Sequence, residues 1–95
     1  MDARDFYLAA YDISSNKRRA KIAKVMESMG ARVQGSVFEI WLNKAELETL
    51  MKRVKRVLNE QEDSVRIYSV CQNCQAKLKI LGQGKKTAAP ELVIV

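Results

Sequence analysis

The sequence predicts an α+β protein: a ferredoxin-like βαββαβ domain with an antiparallel sheet, an extra C-terminal strand and a homodimer packed through its sheets. Two observations predict this fold. Two helical patterns bracket a hairpin-like segment, with one strand before them and another after them. The first strand is apolar at nearly every position, which is typical of a strand covered on both faces. Since the helices would cover only one face of the sheet, a second copy is expected to cover the other.

The first strand and the first helix lie in residues 6–29. Residues 6–13 (FYLAAYDI) form the apolar strand. Asn16 is predicted to cap a helix that runs to Met29, and Gly30 is predicted to stop it. The apolar stripe of this helix consists of Ile22, Val25, Met26 and Met29.

A hairpin and a second helix follow. Residues 32–42 (RVQGSVFEIWL) are strand-like, and Gly35 with Ser36 marks a turn or bulge that splits them. Asn43 and Glu46 have the spacing of a capping box. The stripe of the second helix is Leu47, Leu50, Met51, Val54 and Leu58.

The last third of the chain is predicted to hold a loop at 59–64, a strand at 65–70 and a short further strand at 78–81. We place the ferredoxin-like domain at residues 1–82 and a linker with a terminal strand at 83–95. Leu92 to Val95 are apolar and β-prone, so we expect the segment 91–95 to pair with a sheet edge outside its own domain, on the twin subunit or on a larger partner.

Composition narrows the classes of function. A chain of 95 residues forms one domain, and its net charge of +6 favours an anionic partner: nucleic acid, an acidic membrane surface or an acidic protein. The chain has no histidine, which removes the commonest general base and metal ligand. No stretch resembles a signal peptide or reaches membrane-spanning length, so a cytoplasmic protein without a membrane partner is expected.

Asp12 closes the first strand and has two interpretations. As a turn residue, it would bond to nearby amides. As a metal ligand, it would bind a hard divalent cation such as Mg²⁺, which often needs only one or two carboxylates. A dimer packed across its sheets would bring two copies of Asp12 together, and a metal-bound hydroxide could then attack a phosphodiester.

Four cations open the first helix: Lys17, Arg18, Arg19 and Lys21. On a helical wheel, Lys17, Lys21 and Lys24 lie opposite the apolar stripe, and the two arginines flank it. A solvated basic face and a phosphate-binding strip explain them about equally well. Because aromatic residues are sparse, contact with the phosphate backbone is favoured over base reading.

Cys71 and Cys74 form a single CxxC motif. Without a second pair or a histidine it does not make a structural zinc site. A thioredoxin-like redox motif would lie at a strand-to-helix turn in a different fold, so we interpret the pair as small residues at the end of a strand. The side chains of Phe38, Trp41 and Tyr68 are expected in the core or in an interface.

Together these motifs resemble the CRISPR-associated protein 2 family over nearly the whole chain. The matching features are the Tyr11-Asp12-Ile13 strand end, the Asn16-x-x-Arg19-x-Lys21 spacing, the segment 32–39 (RVQGSVFE), the strand 65–68 (VRIY) and the closing glycine-rich loop with its short terminal strand.

The resemblance implies a ferredoxin-like homodimer with Asp12 as a metal-linked residue at the dimer axis, described as a phosphodiesterase site acting on RNA or DNA. It also implies a role in bridging two dimers of CRISPR-associated protein 1 along a DNA duplex. Matching positions imply Arg19, Lys21, Arg32 and Phe38 as supporting residues, together with Tyr11 beside Asp12. Many relatives carry arginine where this chain has Lys21, so the charge is kept but bidentate phosphate contact is lost.

Three classes of function follow from the sequence. The first is a nucleic-acid-binding scaffold of the spacer-acquisition complex, in which Lys17, Arg18, Arg19, Lys21 and Arg32 contact phosphates. The second is a Mg²⁺-dependent endonuclease that uses Asp12 from both subunits. The third is a generic ferredoxin-like RNA-binding or regulatory module, which the lack of an aromatic-rich strand weakens. We rank the scaffold first and the nuclease as its alternative.

Overall fold

The computed structural model describes residues 3–82 and residue 84. Its elements, in chain order, are β1 (Asp5–Asp12), α1 (Asn16–Glu27), β2 (Gly30–Gln34), β3 (Val37–Leu42), α2 (Lys44–Val57), β4 (Ser64–Val70) and a short helix α3 (Gln72–Ala76). The four strands form one sheet in the order β2-β3-β1-β4, and every neighbouring pair is antiparallel. The predicted βαββαβ order is therefore confirmed.

The main core lies between the sheet and the helices α1 and α2. Alternate residues of the central strands face the helices, so Ala9 on β1 lies opposite Phe38 on β3, and both are fully buried. Ile22 and Met26 of α1 and Leu50 of α2 fill the other side of this layer and are also fully buried. These positions coincide with the two predicted helical stripes.

The opposite face of the sheet is also partly covered. The Phe6 side chain is only 2% exposed, and its ring lies 4.9 Å from that of Trp41, measured between ring centroids. Leu8 and Ala10 are half-buried on the same face, whereas Tyr68 of β4 is 48% exposed. The prediction that β1 is covered on both faces is therefore confirmed only in part, and the homodimer remains a prediction.

Both ends of α1 differ from the prediction. Ser15, not Asn16, is the N-cap, since its hydroxyl accepts a hydrogen bond from the Arg18 backbone N–H at 3.3 Å. Asn16 is the first residue of the helix, which ends at Glu27.

Gly30 does not stop the helix but begins β2. A Cβ atom at this position would lie 2.4 Å from Cγ1 of Ile40 and 2.7 Å from the carbonyl oxygen of Glu39. The glycine is therefore needed because the two strands approach closely, and not because a helix ends there.

The hairpin and the second helix follow the prediction. Gly35 and Ser36 form the turn between β2 and β3, and the register shifts between Arg32 and Gln34. The capping box is complete: the Asn43 side chain accepts from the Glu46 backbone N–H, and the Glu46 carboxylate accepts from the Asn43 N–H, both at 2.8 Å.

The short strand predicted at residues 78–81 is wrong. These residues belong to no regular element, and α3 precedes them. Ile80 and Leu81 line a groove of about 630 Å³ together with Val33 and Val37, so their apolar side chains lie beside the β2–β3 hairpin and form no ladder there. The predicted terminal strand at 91–95 lies outside the described residues. Within the described part of the chain, no helix is long and apolar enough to cross a membrane.

Candidate nucleic-acid interface

The end of β1 places Tyr11 and Asp12 on opposite faces of the sheet. Tyr11 is buried on the helix side, where its hydroxyl donates to the Gly35 carbonyl at 3.1 Å and its backbone N–H donates to the Ser36 carbonyl at 3.1 Å. Asp12 is exposed and is paired with Ser64 of β4. Strand alternation directs it to the face away from the helices. Tyr11 thus fixes the strand end to the hairpin turn, and Asp12 is left facing solvent.

A single chain does not complete a metal site around Asp12. Among the described residues, no three His, Cys, Asp or Glu side chains lie close enough to hold an ion. Mg²⁺ can be bound by one or two carboxylates when water and phosphate oxygens supply its other ligands. The exposed Asp12 carboxylate fits such a role only if a second copy of the chain or a bound phosphate contributes the remaining charge.

Arg18 already has two carboxylate partners. Its guanidinium donates to both oxygens of Asp63, from Nε at 2.7 Å and from Nη2 at 3.2 Å, and Nη2 also donates to Glu62 at 3.0 Å. The Asp63 side chain is 0% exposed. Hydrogen bonding to Arg18 lowers the pKa of the Asp63 carboxyl, and the same contact raises the pKa of Arg18. This bidentate pair fastens the loop before β4 to the first turn of α1.

Arg19 and Arg32 border one pocket of about 500 Å³ beside the end of β1. Arg19 donates to the Ile13 carbonyl at 3.0 Å and to the Asn16 side-chain oxygen. Arg32 donates to Glu27 at 2.8 Å, and its guanidinium carbon lies 5.2 Å from the centroid of the Phe38 ring. Phe38 is fully buried, so it supports Arg32 from below and does not itself reach the surface.

Lys17, Lys21 and Lys24 form an exposed row along α1. They are spaced at i, i+4 and i+7, so they lie on the side of the helix that faces away from the sheet. Within the part of the chain that the structure describes, none of them is in an ion pair. They are therefore available to an anionic ligand without breaking an existing contact.

Sequence reasoning missed a second group of cations, on α2. Lys52, Lys55 and Arg56 are exposed, and α2 packs beside α1, where Arg53 donates to the Ser28 hydroxyl at 3.1 Å. Helix α1 has a net charge of +4, from five cations and one carboxylate, and α2 has +3, from five cations and two carboxylates. The two helices thus carry +7, against +6 for the whole chain, although Arg18 of α1 is paired with the Asp63 and Glu62 carboxylates of the neighbouring loop. Charge counted over the second predicted helix would have revealed it.

Comparison with known proteins identifies the family that the chain resembles. Residues 5–78 match the family described as CRISPR associated protein Cas2. A CRISPR-associated endoribonuclease Cas2 of Synechocystis is 39% identical over 94% of this chain and 97% of its own length. A CRISPR-associated endonuclease Cas2 of Thermus thermophilus is 42% identical over 82% of both chains.

The fold gives the same result. The crystal structure of Cas2 from Streptococcus pyogenes superposes with a TM-score of 0.73, at 33% identity, and covers 81% of this chain and 99% of its own. A match to the family over residues 5–78, with relatives of this identity along nearly their whole length, decides the assignment. The chain belongs to the CRISPR-associated protein Cas2 family.

Proposed function

We propose that the protein is the nucleic-acid-binding subunit of a CRISPR spacer-acquisition complex, acting as a homodimer together with CRISPR-associated protein 1. The observation that carries this proposal is the net charge of +7 on helices α1 and α2, whose lysine row is exposed. The family assignment supports the biological context. The half-buried apolar residues Leu8, Ala10 and Val37 on the other sheet face supply a surface on which a second copy would pack.

The chemistry of the helix layer favours the phosphate backbone over the bases. Neither α1 nor α2 contains an aromatic residue on which a base could stack. Flexible lysines such as Lys17 and Lys21 bind phosphates as point charges and do not select a sequence. The pocket that Arg19 and Arg32 line adds two guanidinium groups that could donate hydrogen bonds to one phosphate. Binding should therefore depend on charge and salt, and little on sequence.

Fluorescence anisotropy with two duplex DNAs of unrelated sequence tests the binding half of this proposal. We expect similar affinities for both duplexes and a steep loss of affinity between 50 and 200 mM salt, since several counterions are released on binding (roughly one per phosphate contact). A large preference for one sequence, or binding that ignores salt, would contradict backbone recognition. Co-purification with a co-expressed CRISPR-associated protein 1 tests the assembly half, and sedimentation tests the dimer.

A Mg²⁺-dependent phosphodiesterase is the second candidate function. It is favoured by the exposed Asp12 carboxylate at the end of β1, and relatives of this chain carry the names endoribonuclease and endonuclease. In this proposal two copies of Asp12, one from each subunit, hold the ion on the dimer axis. The ion would supply a nucleophilic hydroxide in a protein that has no histidine to act as a base.

A Mg²⁺ titration with labelled RNA and labelled duplex DNA tests this second function. Asp12→Asn should abolish cleavage while it leaves folding, dimerisation and duplex affinity unchanged. Asp5→Asn is a matched control, because Asp5 is an exposed aspartate at the opposite end of the same strand. Cleavage that survives in the Asp12 variant, or that is lost equally in both variants, would rule out this role for Asp12.

A further inference from the structure

Cys71 and Cys74 lie at a strand-to-helix turn. Cys71 follows the last residue of β4 and is the N-cap of α3, and Cys74 is the third residue of that helix. Both thiols are exposed. The turn is held by two hydrogen bonds of Gln75, from its backbone N–H to the Cys71 carbonyl and from its side chain to the Val70 carbonyl, both at 2.9 Å. The sequence indicated a pair of small residues at the end of a strand, and the structure adds that this strand end leads directly into a short helix.

The two cysteines lie three residues apart across the first turn of α3. Cys71 has the extended backbone of an N-cap, at φ −67° and ψ 167°, from which a side chain folds toward the third helical residue. The backbone N–H of Cys74, and after it the Cys74 thiol, lowers the pKa of the Cys71 thiol, and the neighbouring Cys71 thiol raises the pKa of Cys74. Helical residues three apart have Cβ atoms about 5–6 Å apart. In a disulfide the two Cβ atoms lie about 3.5–4.5 Å apart, so a small shift of this exposed turn would let the bond form.

We propose that Cys71 and Cys74 form a reversible dithiol–disulfide site whose oxidant is a small-molecule disulfide of the glutathione type. The Cys71 thiolate attacks one sulfur of the oxidant and releases one thiolate, which leaves a mixed disulfide. Cys74 then loses its proton to solvent and attacks the Cys71 sulfur, and the second thiolate leaves. In total the protein loses two protons and two electrons, and the oxidant gains them as two thiols.

This site is independent of the proposed nucleic-acid function, since it lies on neither α1 nor α2. Its location nevertheless has a structural consequence. Helix α3 leads directly into residues 77–82, of which Ile80 and Leu81 lie beside the β2–β3 hairpin. A disulfide would fix the first turn of α3 and with it the point from which this segment departs.

The test equilibrates the full-length protein in glutathione buffers of increasing oxidised fraction, followed by acid quench, alkylation and intact-mass measurement. Both free thiols should be lost together, with a mass decrease of two hydrogens and no covalent dimer on a non-reducing gel. The Cys74 thiol is held near the mixed disulfide at an effective concentration of about 1 mM or more. At about 0.1 mM glutathione, Cys74 should therefore attack the mixed disulfide at least ten times as often as a second glutathione does. The mixed disulfide should therefore stay below about a tenth of the chain.

Cys71→Ser and Cys74→Ser are the matched controls, and each should stop at the mixed disulfide with glutathione. Limiting iodoacetamide at neutral pH should label Cys71 ahead of Cys74 in the reduced wild type, since the more acidic thiol supplies more thiolate. The proposal is overturned if the wild type also accumulates the mixed disulfide, if it forms intermolecular disulfides instead, or if it stays reduced in buffers that convert the single variants.

Discussion

Lys21 and Arg18 lie three residues apart on α1 and carry the same charge, yet we expect removal of Lys21 to lower duplex affinity and removal of Arg18 to lower stability. Lys21→Gln and Arg18→Gln each take one positive charge from the same helix. An account based on net charge alone predicts equal losses of nucleic-acid affinity. The structure predicts otherwise, because Arg18 is paired with Asp63 and Glu62 whereas Lys21 is exposed.

The expected magnitudes follow from counterion release. Each phosphate contact contributes about 0.9 to the slope of log K against log salt, so at about 0.1 M salt it contributes roughly 0.9 of a decade, or about eightfold in affinity. Lys21→Gln should thus weaken duplex binding about eightfold for each copy that contacts phosphate, and flatten the slope by about 0.9. Arg18→Gln should leave the slope unchanged.

Arg18→Gln should instead lower the thermal stability. It removes both guanidinium hydrogen bonds from Asp63, whose side chain is 0% exposed, and leaves that carboxylate with the Asn59 backbone N–H at 3.0 Å. A buried carboxylate that loses its guanidinium partner lowers the free energy of unfolding. Lys21→Gln removes no such contact, so its melting temperature should match that of the wild type.

Fluorescence anisotropy with one duplex between 50 and 200 mM KCl, together with thermal unfolding by circular dichroism, measures both quantities. Equal affinity losses in the two variants would refute the argument, because they would show that Arg18 contributes to duplex binding despite its ion pairs. An unchanged duplex affinity in Lys21→Gln would also refute the argument, since the lysine row of α1 would then lie outside the interface with the duplex.

Four further outcomes are expected. Gly30→Ala should cost about 1–3 kcal/mol of unfolding free energy in chemical denaturation, because its Cβ would enter the space of β3. Asn43→Ala should cost about 1 kcal/mol through loss of the capping box, with no change in duplex affinity. Folding lowers the pKa of Asp63 below its ordinary value of 3.8. The stability that this carboxylate contributes is therefore present above pH 3.8 and is lost as the pH falls through the folded-state pKa. Arg18→Gln should make the measured free energy of unfolding depend less on pH in this acidic range. If residues 91–95 bind the twin subunit, their deletion should produce monomers in sedimentation. If they bind the larger partner, the deletion should abolish co-purification with that partner. A deletion that changes neither the dimer nor the co-purification contradicts the predicted strand.

Local signals in the sequence predicted the features that depend on local physics. The alternation and apolarity of β1, the helical stripes and the Asn43–Glu46 capping box each depend on residues within a few positions of one another. The end of α1 was harder to place, because Gly30 is equally consistent with a helix stop and with a close approach of strands. Only the position of Ile40, ten residues away, decides between them.

Features that depend on distant residues could not be predicted in this way. Arg18 and Asp63 are 45 residues apart, and nothing in either local pattern indicates that they meet. Residues 78–81 have the composition of a strand, but a strand needs a sheet edge with which to pair. This segment emerges from α3 and lines a groove beside the β2–β3 hairpin without pairing with it. The cations of α2 were visible in the sequence, but their addition to those of α1 depends on how the two helices pack.

The placement of charge also separates the two proposed functions in space. The lysine row lies on the outer side of the helix layer, whereas Asp12 is exposed at the end of β1 on the opposite face of the sheet. A duplex held only across the outer side of the helices would therefore contact a different face of the chain from the one that carries Asp12. Hydrolysis would need either a second nucleic-acid path on the Asp12 side or a partner that closes that face. For this reason Asp12→Asn and Lys21→Gln should act independently: the first should affect only cleavage, and the second should affect binding at every salt concentration at which binding is measurable.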